Sequence, residues 1–122
     1  MIVADTSVWI DHLRFGDREV RDRLNRGEIA IHPFIVGELA LGSLRDRAGT
    51  LALLDRLPEV RVARAAEVRH AIESRGLFGY GIGLVDAHLI ASVLISSSAL
   101  LWTRDKSLRK VAEKLGIDAG LK

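Results

Sequence analysis

The sequence contains no cysteine, which removes disulfide bonds, thiolate metal sites and a cysteine nucleophile together. That absence suits a reducing cytosol and leaves oxygen and histidine as the only ligands for a metal ion. Aromatic residues are scarce at 5%, too few for the stacking platform on which non-catalytic binders of single-stranded nucleic acid rely. Long apolar runs are also missing: a membrane helix needs ~20 such residues, and the longest candidate, Leu94 to Trp102, is broken by three serines. The opening lacks the basic segment and apolar stretch of a secretory signal, because Asp5 falls within it. The expectation is a soluble, cytoplasmic protein.

What remains is a chain of 122 residues, the length of one domain. A fold of this size buries roughly two-thirds of the surface its unfolded form exposes, so it needs no covalent staple. The single domain is expected to span residues 1–122. A formal charge of +2, carried mostly by arginine over lysine, is mildly basic. Arginine suits bidentate phosphate contacts, although such a balance also serves solubility alone.

Short β-type runs alternate with longer helical ones. Ile2 to Asp5, Ile29 to His32, Val60 to Ala63 and Ala99 to Thr103 read as strands, and a last short strand falls near Ile117 to Leu121. Helices are expected over Ser7 to Phe15, Glu19 to Asn25, Pro33 to Leu44, Thr50 to Leu57, Ala65 to Arg75, Val85 to Ser96 and Asp105 to Leu115. Their limits are set by Pro33 at a first helical turn, by Pro58, and by Gly27, Gly76 and Gly116. This alternation predicts an α/β fold, an α/β/α sandwich around a central, mainly parallel sheet of four or five strands. Ligands in such sheets bind beyond the carboxyl ends of the strands. The glycine cluster Leu77 to Gly83 lacks the lysine of a phosphate loop and reads as a tight approach to the next helix.

Most of the sixteen acidic residues lie among arginines on solvated helix faces. Four do not. Asp5 closes the first apolar strand, and Asp105 follows another after a single arginine, so both belong at the carboxyl edge of the sheet. Glu38 falls at helical spacing on the stripe of Phe34, Ile35 and Leu41, and Asp86 lies in the first turn of a helix whose stripe includes Ile90, Val93 and Leu94. Each acid alone has an ordinary role as a helix cap, a dipole partner or half of an ion pair. Together, two acids at strand ends and two on flanking helices can converge on one cleft. Two carboxylates ~4 Å apart repel by about 4 kcal/mol at an effective dielectric near 20, a conflict that a divalent cation removes. An all-oxygen site points to magnesium or manganese. Such an ion suits phosphodiester hydrolysis, with Asp5, Asp86 and Asp105 as the metal shell and Glu38 binding metal or orienting the attacking water. Thr6, Ser7 and Thr103 place hydroxyls to hold these carboxylates or meet a phosphate.

These residues resemble those of the PIN-domain ribonucleases, and within them the VapC toxins of toxin–antitoxin pairs. The resemblance spans nearly the whole chain. It rests on Ile2-Val-Ala-Asp-Thr-Ser-Val-Trp-Ile-Asp11, Val36-Gly-Glu-Leu39, Gly83-Leu-Val-Asp-Ala-His-Leu-Ile-Ala91 and Leu100-Leu-Trp-Thr-Arg-Asp105, in that order. It implies a catalytic quartet of Asp5, Glu38, Asp86 and Asp105 with Thr6, Ser7 and Thr103 as polar supports. It further implies RNA as substrate, magnesium or manganese as cofactor, a homodimer, and a small VapB-type antitoxin whose tail blocks the acidic pocket.

Arg104, beside Asp105 at the sheet edge, is a candidate phosphate contact or a plain surface arginine. Asp11 reads as solvent-facing, Trp9 as core or as partner surface. His12, His32, His70 and His88 lack metal-ligand spacing to one another and read as surface or packing residues. Two rival functions stand beside the nuclease. A magnesium phosphohydrolase of the haloacid dehalogenase type wants a second aspartate where Ser7 stands. A binding module that keeps the fold without catalysis would be better marked by a missing acid.

Overall fold

Three short apolar runs supply the sheet. In the computed structural model, which describes residues 1–122, β1 (Ile2–Ala4), β2 (Ile29–Ala30) and β3 (Leu100–Trp102) pair in the order β2-β1-β3. All pairings are parallel, with Ile2 opposite Ile29 and Leu100, and Ala4 opposite Trp102. Seven helices cover them: α1 (Thr6–Phe15), α2 (Arg18–Asn25), α3 (Pro33–Leu41), α4 (Arg47–Asp55), α5 (Ala65–Ser74), α6 (Leu84–Ile95) and α7 (Lys106–Lys114). Helices on both faces explain why the strands are apolar throughout instead of alternating. Val3, Ala4, Ile29, Ala30, Leu101 and Trp102 are all buried.

The α/β class and parallel sheet are as expected, but the sheet has three strands where four or five were predicted. Both missing strands lie at the edges of the sheet and make only one bridge each, Glu59 to Ile31 and Asp118 to Leu101. At the first edge the ladder starts normally, with Val60 N–H donating to Ile31 O at 2.9 Å. The next amides are then captured by serines of α6 and its C-cap: Arg61 N–H donates to Ser96 Oγ at 3.1 Å and Ala63 N–H to Ser92 Oγ at 3.0 Å. Serine hydroxyls thus replace the ladder over Val60 to Ala63. At the other edge Gly120, at φ 74°, turns the chain as its N–H donates to the Asp118 carboxylate at 3.1 Å.

Helix starts follow local chemistry. Asp17 caps α2 through Val20 N–H, and Asp105 caps α7 through Leu108 N–H. Helix α3 was expected to reach Leu44 but stops at Leu41, where the Arg47 guanidinium donates to the carbonyls of Ala40 at 2.7 Å and Gly42 at 3.3 Å. Its buried face is Ile35 and Leu39, while Phe34 and Leu41 are exposed. The predicted stripe of Phe34, Ile35 and Leu41 is therefore wrong, and Glu38 lies on the rim of the buried face, exposed. Trp9 and Trp102 are both fully enclosed in the core.

Candidate active site

The parallel ladder ends by delivering Asp5 to the carboxyl edge of the sheet, where its N–H donates to Trp102 O at 3.0 Å. The residue is 5% exposed, so its carboxylate needs internal donors. It has four. Ser7 N–H, at 2.9 Å, and Val8 N–H, at 3.4 Å, donate to Oδ1, which makes Asp5 the N-cap of α1. The Ser7 hydroxyl donates to the same oxygen, and the Thr103 hydroxyl donates to Oδ2.

Each hydroxyl is oriented by what it accepts. Ser7 Oγ takes Arg104 N–H at 2.9 Å, and Thr103 Oγ1 takes Asp105 N–H at 3.1 Å. A hydroxyl has one proton, and both point theirs at Asp5. Thr103→Val keeps the shape but strands Asp105 N–H and one Asp5 oxygen. A loss of about 1–3 kcal/mol in chemical denaturation is expected. Thr6 opens α1 between these residues, half-buried, and its hydroxyl makes no hydrogen bond to the protein.

Asp86 sits in the first turn of α6 and accepts Gly83 N–H at 3.2 Å. Its carboxyl is pushed up by burial first, and further by the charges of Asp5 and Asp105, against the lowering effect of the Gly83 bond. Glu38 is likewise raised, by desolvation of its carboxyl and then by Asp86 and Asp5. The four predicted acids therefore share one electrostatic neighbourhood. None forms an ion pair, since the six pairs in the protein involve other carboxylates. Capping and convergence coexist, because a carboxylate has about four acceptor positions and a cap uses one or two. No three acidic or histidine side chains close directly around a single metal-sized point.

Arg104 is not free for a phosphate. Its Nη1 donates to Asp11 at 2.7 Å, its Nη2 to Asp17 at 2.6 Å and its Nε to Lys122 O at 3.1 Å, and the guanidinium lies 5.6 Å from the Trp102 ring centre. Burial raises the Asp17 carboxyl, but the Arg104 bond, the Val20 N–H and the Arg104 charge outweigh it and hold it below its ordinary value. The side chain thus ties the sheet edge to α1, to the cap of α2 and to the C-terminus, while its own N–H steadies Ser7. Asp11, read as solvent-facing, is one half of this clamp.

A groove of about 590 Å³ runs between α1 and the end of α3, lined by Ile10, Leu13, Phe15, Leu44, Arg14 and Arg45 among others; of the acids only Glu38 reaches it.

Of the two roles its sequence allows, surface or packing, His32 takes the second and is fully buried. Its Nδ1 accepts Phe34 N–H at 3.0 Å as the N-cap of α3, which leaves the proton on Nε2 to be donated to Ser92 Oγ at 3.1 Å. Burial, and then the nearby His88, lower its pKa to about 4. The sequence carried one signal for this role, a polar residue directly before Pro33 at the first turn of a helix.

A model of the PIN domain family matches residues 2–114. Ribonuclease VapC32 of Mycobacterium tuberculosis, from two strains, is 43% identical over 117 residues, which cover 96% of this chain and 94% of that protein. The crystal structure of PAE2754 from Pyrobaculum aerophilum shares the fold, with a TM-score of 0.58 at 22% identity over 92% of this chain and 86% of that one.

Proposed function

The chain belongs to the PIN-domain family, and from that premise we propose that it is the endoribonuclease toxin of a toxin–antitoxin pair, hydrolysing RNA phosphodiester bonds at the Asp5 end of its sheet. The observation that carries this reading is the set of four carboxylates at the carboxyl edge of a parallel sheet, close enough that the charges of Asp5 and Asp105 help raise Asp86 and those of Asp86 and Asp5 help raise Glu38, with no cation paired to any of them. The likeness to a protein named as a ribonuclease over 96% of the chain supports RNA as the substrate.

A hydrated divalent ion fits this donor set. Magnesium keeps several waters and takes only one or two carboxylates directly, so it does not require three acids closed around one point. Asp5, Asp86 and Asp105 would hold magnesium, or manganese in its place. The ion, when bound, acidifies water and neutralises charge developing on the phosphoryl oxygens. Asp5 is aimed by its four donors. Glu38 is the only acid of the four that caps no helix and accepts no hydrogen bond, and its raised pKa suits a proton acceptor. In this reading Glu38 takes a proton from the attacking water as its oxygen bonds to phosphorus and the bond to the leaving ribose oxygen breaks.

The metal has a test that does not depend on cleavage. An ion at ~10 times its dissociation constant stabilises by about 1.4 kcal/mol, which for a domain of this size is roughly 5 °C in melting temperature. Millimolar magnesium or manganese should produce that rise in the wild type and none in Asp5→Asn. An unchanged melting temperature in both ions, with no calorimetric heat, would remove the metal from the reading.

An antitoxin as partner is supported by the groove that Glu38 helps line and by the exposure of apolar side chains there and on α3, Phe15 of its lining at 80% and Leu41 at 90%. A peptide seated there would bring its next residues to the acids. The homodimer rests on family likeness, and a single 13.4 kDa species in sedimentation equilibrium would remove it. No helix of the chain is long and apolar enough to cross a membrane.

A further inference from the structure

Helices α3 and α6 each carry one of the acids, and they meet in an antiparallel register. Two contacts mark it: His32 with Ser92, joined by a 3.1 Å hydrogen bond, and Phe34 with His88, whose rings are 4.6 Å apart between centres; further along, Glu38 lies within the field of Asp86. Residue numbers fall along one helix as they rise along the other. The first pair lies six residues from the acid on each helix, about 9 Å at 1.5 Å per residue.

We propose that His32 is a positioning residue for the cleavage reaction: its imidazole, bonded to Phe34 N–H on one side and to the Ser92 hydroxyl on the other, fixes α3 against α6 and so sets the separation of Glu38 and Asp86. The proposal rests on the reading of those acids as catalytic. His32 cannot touch RNA, because it is fully buried, as is Ser92. Its two ring nitrogens do different work. Nδ1 starts α3, and Nε2 grips the hydroxyl that also receives Ala63 N–H at 3.0 Å. The Phe34 ring, 5.3 Å from His32 between centres, transmits that hold to His88 in the turn after Asp86.

Two substitutions separate the bonds. The oxygen of Asn stands as many bonds from Cα as Nδ1 does, so His32→Asn keeps the cap and loses the grip on Ser92. The amide nitrogen of Gln stands where Nε2 does, so His32→Gln keeps the grip and loses the cap. Misplacement by about 1 Å costs up to ~100-fold in rate. The expected result for His32→Asn is at least a ~10-fold fall in kcat on RNA, with KM within about twofold and an unchanged circular dichroism spectrum. His32→Gln should stay within about threefold of wild type. A nuclear Overhauser contact between the Phe34 and His88 rings should weaken in the Asn variant and persist in the Gln variant.

Wild-type kcat in His32→Asn would overturn the proposal, as would equal losses in both variants that track their melting temperatures. Should the wild type cleave no RNA, the functional reading fails, and the ring contact still decides whether His32 sets the register: its full retention in His32→Asn overturns that too.

Discussion

Asp5→Asn is expected to abolish RNA cleavage while leaving the fold intact. The fold survives because Asn is also a strong N-cap. Its oxygen can keep the bonds from Ser7 N–H and the Ser7 hydroxyl, and its amide can donate to Thr103 Oγ1, which has a second lone pair beside the one taken by Asp105 N–H. What is lost is one negative charge. Losing the several kcal/mol of charge stabilisation that a bound metal supplies corresponds to ~10³-fold or more in rate. The measurement is cleavage of a mixed pool of structured RNAs by purified protein free of antitoxin, with magnesium or manganese, a chelator lane and the variant alongside. Discrete products that vanish in both controls are the expected result. Equal cleavage by wild type and Asp5→Asn would mean that the acids at the sheet edge are not the reacting site.

The site was legible in the sequence wherever it depends on position along one element. Asp5 and Asp105 follow apolar runs, and a carboxylate at the end of a buried parallel strand is already at the ligand-binding edge. The helix limits at Pro33, Pro58, Gly76 and Gly116 are local chemistry, and they fall within a few residues of the observed ends. What depends on contacts between distant segments was not legible. The strand expected at Val60 to Ala63 is dissolved by two serines, one in α6 and one capping its end, that lie about thirty residues later in the chain. Arg104 looks like a phosphate ligand beside Asp105, until Asp11 and Asp17 are brought to it from the other end of the sequence. His32 illustrates both cases. Its capping of α3 is readable from the proline that follows, whereas its bond to Ser92, sixty residues on, exists only in the folded chain.

Stability should fall on mild acidification, and His32 should account for most of the slope. Its pKa is lowered from 6.5 to about 4 in the folded state, because burial disfavours the charged imidazolium and the nearby His88 adds to that cost. Below pH 6.5 the unfolded chain gains a proton at this position that the folded chain refuses. Stability is therefore lost as pH falls from about 6.5 towards 4, at up to about 1.4 kcal/mol per unit and about 3 kcal/mol in all. His12, also lowered, chiefly by burial, adds in the same direction. Glu38 and Asp86 act with the opposite sign. Their raised pKa values mean that the folded state binds protons more tightly, so acidification through their range relieves the repulsion at the site and offsets the loss at the acid end of the window. Asp17, held low, contributes stability that is lost only below its ordinary range near 3.8. The loss of stability on mild acidification is thus a histidine effect, which the raised carboxyls can only reduce. Urea denaturation in chelator at half-unit intervals should show it in the wild type and a flatter profile in His32→Asn, which has no group to titrate there. An identical slope in the two proteins would place the acid sensitivity outside His32, leaving its neutral, proton-donating Nε2 without the thermodynamic signature that burial demands.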